Sequence, residues 1–198
     1  MSRLVSYLVE GSGYTELKST TEEDILVLGK RIRSECRQFL KDVYERSGHR
    51  ILRRELRQVY DGKAYRIVPR KDRRPKDMPK ELHAVLNVEF KKRFGWNVRD
   101  GVFTYTQGMA PTAYCNIFVP VGRYRYCYSP AIRDLYVSRF SIKQAWEGQW
   151  LDKWIDDQDY TDKGLGSFVK EMLQAREVVF DCKAYYLIHG SVWERLGI

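Results

Sequence analysis

No apolar run in this 198-residue chain approaches the roughly 20 residues that a membrane-spanning helix needs. The opening stretch MSRLVSYLVEGSGY has a short apolar patch interrupted by Glu10 and no secretory pattern, so a cytoplasmic location is expected. Cysteine is scarce and scattered. Cys36, Cys115, Cys127 and Cys182 form no C-x-x-C pair and have no histidine cluster nearby, which excludes the usual zinc spacings and suggests reduced thiols. His49, His83 and His189 are too dispersed to suggest a metal site or a catalytic triad. The chain also lacks a G-x-x-x-x-G-K-[ST] phosphate loop and a G-x-G-x-x-G after a strand. It has no internal repeat and no low-complexity linker, and GLGS at Gly164 reads as a helix entry.

What is present is an ordinary globular composition, 43% hydrophobic and 31% charged, with 14 tyrosines and 5 tryptophans. The net charge of +9 is unevenly placed. Between Arg50 and Lys76 lie 11 basic residues against Glu55, Asp61 and Asp72, nearly the whole excess. Such a patch attracts phosphate, whether of a nucleic acid, an anionic partner or a nucleotide, or else simply solvates a surface.

Hydrophobic spacing gives a mixed α+β order, with strands grouped after helices. A helix is expected over about Thr21 to Arg46, opened by a Thr20–Glu23 capping box and burying Ile25, Leu28, Ile32, Phe39 and Val43. A short helix over Leu52 to Val59 then leads to the Asp61-Gly62 turn. Lys63 to Arg70 reads as a strand. Asp77 and Pro79 open a helix carrying Leu82, Leu86 and Phe90, which ends at Gly95. Strands follow at Val102 to Thr106, CNIFVPVG and YRYCYSP. One helix over Ser141 to Ile155 aligns Trp146, Trp150 and Trp154, expected to cover the face of Tyr124, Tyr126 and Tyr128, and a second spans Leu165 to Leu173. EVVFD and AYYLIH close the chain as two strands joined tightly at Asp181-Cys182-Lys183, before a last helical turn. The expected organisation is a helical segment, 1–60, and a mixed domain, 61–198, packed as a single unit.

The stretch VFTYTQGMAPTAY, Val102 to Tyr114, places Thr104 and Thr106 on one strand face opposite Phe103 and Tyr105. Those hydroxyls either line a cleft or belong to an ordinary half-exposed strand. Tyr65-Arg66 on an earlier strand, Thr104-Tyr105-Thr106 here and Glu177 opening a late strand form an ordered set. This set resembles the ADP-ribosyltransferase fold of the arginine–serine–glutamate type, over roughly Lys63 to Ile188, and the segment is also similar to phage-encoded proteins. The run Ala113-Tyr114 to Phe118 and Pro120 looks like the helix-to-strand passage of such enzymes.

The resemblance implies a split antiparallel β-sandwich with an N-terminal helical segment. It implies NAD as substrate, Glu177 as the catalytic carboxylate, and Arg66, Thr104, Tyr105, Thr106 and Tyr114 around the bound dinucleotide. Two departures are visible. The middle of the triplet is Tyr105, and Ala175 stands where arginine-modifying members carry a glutamate or glutamine. The acceptor, or whether the cleft turns over at all, stays open. A second reading is a non-enzymatic basic binding or structural protein, such as a phage virion component that contacts DNA or other subunits through the Arg50–Lys76 region.

Overall fold

The computed structural model describes residues 11–17, 19, 21–55, 63–70, 78–106, 115–135 and 137–198. In chain order the elements are β1 (Gly11–Leu17), α1 (Glu22–Glu35), α2 (Arg37–Phe39), β2 (Leu52–Glu55), β3 (Ala64–Pro69), α3 (Lys80–Phe94), β4 (Val102–Thr106), β5 (Cys115–Pro120), β6 (Tyr124–Tyr128), α4 (Arg139–Glu147), α5 (Leu151–Asp157), α6 (Leu165–Glu171), β7 (Glu177–Cys182), β8 (Tyr185–Ile188) and α7 (Gly190–Trp193). A π-helical turn, Leu40–Glu45, continues α2, and a 3-10 turn, Val98–Asp100, precedes β4. The fold is α+β.

Helix α1 starts where local chemistry tells it to, one residue later than the spacing suggested. Thr21 Oγ1 accepts from Asp24 N at 3.1 Å while Asp24 Oδ2 accepts from Thr21 N at 3.2 Å, a reciprocal cap. Glu22, Glu23 and Asp24 then place negative charge on the positive end of the helix dipole. Helix α3 follows Pro79 and stops at Gly95, whose φ of 75° suits a residue without a Cβ.

The described strands form one antiparallel sheet in the order β1-β3-β8-β5-β2-β4-β7-β6. Segment 52–55 is therefore a central strand, not the expected helix. Leu-Arg-Arg-Glu has good helix propensity, but Leu52 is sealed between Phe118 and Thr106 on its two neighbours, and tertiary pairing overrides a weak local preference. Because β1 and β2 both lie in this sheet, the described strands before residue 60 are part of the same sheet as those after it, not a separate helical segment. The closing strands likewise make no hairpin. β7 pairs with β4 and β6, whereas β8 pairs with β3 and β5. Both are buried almost throughout, the mark of strands with a neighbour on each side.

The sheet doubles over. Phe118 and Phe180 sit three strand steps apart, about 14 Å in a flat sheet, yet their ring centroids are 4.9 Å apart. The bend falls at β2, which pairs over four residues with β5 but only at Leu52 and Arg53 with β4. Phe39, Tyr124 and Tyr185 complete the aromatic core inside the fold. On the outer face of the β4-β7-β6 half, Phe103, Val179 and Cys127 pack with Phe90, Trp96, Ile142 and Trp154 from the α3–α5 layer.

The tryptophan stripe does not cover the tyrosines. The expected helix breaks into α4 and α5 across Gly148–Trp150, with Gln149 at φ 61°. A Cβ at Gly148 would collide with the Trp150 ring, so glycine is needed at this break. Trp146 and Trp150 stay partly exposed, and Tyr124, Tyr126 and Tyr128 pack instead on Phe39, Phe180 and Phe168.

Candidate functional site

Arg66 lies on β3 in the row Thr15–Arg66–Tyr186–Val119. Its Nε donates to Glu35 Oε2 at 3.2 Å. The Tyr186 hydroxyl donates to the same oxygen at 2.9 Å, and Arg31 Nε donates to Oε1 at 2.8 Å. Burial pushes the Glu35 carboxyl up, but these hydrogen bonds outweigh it and hold the group below its ordinary value. A depressed folded-state value stabilises above the unfolded carboxylate range, and the gain is lost as pH falls through the folded value. Urea unfolding of Glu35→Gln should therefore show its full stability deficit at pH 7, shrinking below about pH 4. An equal deficit at both pH values would contradict this assignment.

Between Arg66 and Glu177 stand four strands, β8, β5, β2 and β4. The structure does not bring these two residues together. Arg66 ties the sheet to α1.

Thr104 and Thr106 are fully buried. Thr104 Oγ1 donates to Val178 O at 2.8 Å. Thr106 Oγ1 donates to Gln174 O at 3.0 Å and accepts from Arg176 N at 2.9 Å. Both hydroxyls stitch β4 to the entry of β7 and are turned away from the role of binding a dinucleotide. Thr106→Val removes two part-buried hydrogen bonds, to Gln174 O and from Arg176 N, and at roughly 0.5–1.5 kcal/mol each should cost about 1–3 kcal/mol in denaturant unfolding without changing NAD affinity. Tyr114, with the rest of 107–114, lies outside the described residues.

Glu177 and Tyr105 do meet. They are direct partners on β7 and β4, and Arg53 on β2 extends the same row. Glu177 N donates to Arg133 O at 3.0 Å, which ties the loop after β6 to the start of β7, and the Glu177 side chain is 7% exposed. The Arg99 guanidinium, from the 3-10 turn, lies 3.8 Å from Glu177 Oε1 and stacks 4.6 Å over the Phe103 ring. Tyr105 OH lies 3.5 Å from Asp134 Oδ2. Burial raises the Tyr105 phenol well above its ordinary value, the charges of Glu177 and Asp134 add to this, and Arg54 opposes it. The phenol of the partly buried Tyr160, whose oxygen is itself shielded from solvent, is raised for the same first reason, with Glu177 next. Both phenols stay protonated.

Arg54 is the arginine that the structure puts here. It leaves β2 where that strand diverges from β4, and its Nη1 donates to Phe103 O at 2.7 Å. Its guanidinium carbon also lies 5.9 Å from the centre of the Tyr185 ring, and its charge reaches Tyr105, so Arg54 borders a group made of the Glu177 carboxylate, two neutral phenols and the Arg99 guanidinium. Such a set can steady a cationic carbon, and the bordering arginine can take phosphate. Among the described residues no group of three or more His, Cys, Asp or Glu could hold a metal. Arg54 was hidden in the sequence because 52–59 reads as a helix, although the aliphatic pair Ile51-Leu52 before it was a strand signal. Arg99 carried no signal, since burial of a charge is a tertiary fact.

The described part of the basic region is largely engaged within the chain. Arg50 Nη1 donates to Met172 O at 3.2 Å, Lys63 pairs with Glu16 at 2.7 Å, and Arg66 holds Glu35. Among the described residues no helix is long and apolar enough to cross a membrane. Comparison with known proteins finds no matching family model, no matching curated protein and no matching solved structure.

Proposed function

We propose that the chain is an ADP-ribosyltransferase-like protein that takes NAD as substrate at the Arg54–Tyr105–Glu177 cluster and passes ADP-ribose to an acceptor other than arginine. The observation that supports this is the pairing of Tyr105 on β4 with Glu177, the first residue of β7, with Arg54 on β2 one step past the Arg53–Tyr105 pair and near enough for its charge to act on the Tyr105 phenol. The order arginine, hydroxyl-bearing strand, glutamate is that of the resemblance. Arg54 takes the place first given to Arg66, and Tyr105 supplies the hydroxyl in place of the two buried threonines.

In this reading Arg54 holds the pyrophosphate by forked, charge-assisted hydrogen bonds. Tyr105 offers a neutral donor and a ring face to the nicotinamide ribose end. The C1′–N bond breaks, its electron pair leaves on nicotinamide, and the ribosyl cation is steadied by the Glu177 carboxylate. The acceptor then attacks C1′ and releases its proton; with water as acceptor the outcome is NAD hydrolysis. Ala175 is buried and apolar where a guanidinium acceptor would need a carboxylate or amide, which disfavours arginine as the target. Release of nicotinamide from NAD, followed chromatographically with the wild type and Glu177→Gln, tests the reading. Absence of release in both proteins counts against it.

A further inference from the structure

The buried charge nearest Glu177 is held in place by its own scaffold. Arg99 sits on the Val98–Asp100 turn, and the turn is fastened to α3 by side chains. Asn87 Oδ1 accepts from Arg99 N at 2.8 Å, while Asn87 Nδ2 and His83 Nε2 both reach Asp100 Oδ1 at 2.9 Å. Asn97 Nδ2 donates to Asp100 Oδ2 at 3.1 Å. The carboxylate opposite His83 Nε2 requires the ring proton there. The Arg99 side chain is only 9% exposed, and neither its Nε nor its Nη1 has a hydrogen-bond partner among the described residues. An arginine buried with unsatisfied donors is expensive, so its placement beside a buried carboxylate needs a reason beyond packing.

We infer that Arg99 is a positioning residue for Glu177: its guanidinium, carried on the turn that the His83–Asn87–Asp100 network fastens and laid over Phe103, keeps the carboxylate ionised and in place at the mouth of β7. The inference rests on the proposed role of Glu177, but the interaction itself is independent of NAD. The other titratable groups facing Glu177 are Tyr105 on β4, Asp134 in the loop after β6, Cys127 on β6 and Tyr160 after α5. Arg53 and Arg54 on β2 bring further positive charge to the far side of Tyr105, but Arg99 is the guanidinium within ion-pair distance of the Glu177 carboxylate, at 3.8 Å.

The test is a pH titration of the protein labelled with carboxyl-13C glutamate, the Glu177 resonance being assigned by its loss in Glu177→Gln. Arg99→Met and Arg99→Gln should both raise the Glu177 midpoint by about one pH unit or more, and Arg99→Lys should restore most of the shift. Near-UV circular dichroism selects the folded variants, and Arg99→Gln carries the test if the methionine variant does not fold. A midpoint unchanged in the neutral variants overturns the inference, whatever NAD does. A raised midpoint in a protein that leaves NAD untouched upholds the Arg99–Glu177 coupling and refutes the transferase reading alone. In an active protein, the acid limb of the kcat profile should move with the midpoint while the Kd for NAD stays within about threefold; a limb that stays put overturns the positioning role.

Discussion

Glu177→Gln is expected to lower nicotinamide release by about 10²–10³-fold, equivalent to about 2.7–4 kcal/mol of transition-state stabilisation. The substitution keeps shape and removes charge. A glutamine at the head of β7 still pairs with Tyr105 across the ladder, because that contact is made by backbone. What it loses is the negative charge that opposes positive charge on the ribose as the C1′–N bond stretches. Binding of NAD should change little, within about threefold, since the phosphates are assigned to Arg54 and not to the carboxylate; this separates an effect on turnover from one on affinity. Because the change leaves Arg99 facing a neutral side chain, the variant's thermal unfolding must be recorded beside its kinetics. A folded Glu177→Gln protein that releases nicotinamide at the wild-type rate would remove Glu177 from the chemistry.

Phe180→Ala should be the most damaging single core change considered, at about 3–5 kcal/mol, or a fall in Tm of about 6–20 °C. Phe180 is fully buried on β7 and its ring meets Phe39, Phe118, Tyr124 and Tyr126. It therefore joins the two halves of the folded sheet and the α2 segment at one point. Neighbouring rings are fixed by backbone on several elements, so the vacated volume cannot close cheaply. Phe140→Ala is the control: that ring is 67% exposed, and its loss should stay within about 0.5 kcal/mol. Scanning calorimetry distinguishes the two. Equal losses would mean that the bend at β2 does not depend on the aromatic core inside it.

The contrast between what the sequence announced and what it concealed follows the range of the interactions. Helix α3 was legible because its punctuation is local, with Pro79 before it and Gly95 after it. The α1 cap was misplaced by one residue because Thr20-Thr21 followed by Glu22-Glu23-Asp24 offers two equivalent boxes, and only hydrogen-bond geometry chooses. Strand β2 was lost to its helix-forming arginines and glutamate. The tryptophan helix was overextended because its four-residue repeat runs straight through Gly148, where the chain turns.

At the site the same rule holds. Glu177 could be anticipated from its position at the head of an apolar strand. Arg54 depended on the β2 assignment. Arg99 lies five residues past the end of α3, in a turn that no pattern marks, and meets Glu177 78 residues further on. Thr104 and Thr106 show the opposite error. Their alternation was read correctly, but a hydroxyl on a buried strand face can satisfy the neighbouring strand's backbone as readily as a ligand.

Isothermal calorimetry of NAD binding to the wild type, Arg54→Ala and Arg66→Ala puts the central claim most directly. The account predicts saturable binding by the wild type, loss of at least about tenfold in affinity for Arg54→Ala through its charge-assisted phosphate contacts, and wild-type affinity for Arg66→Ala. No saturable binding by the wild type, or binding lost with Arg66 and kept without Arg54, would contradict it.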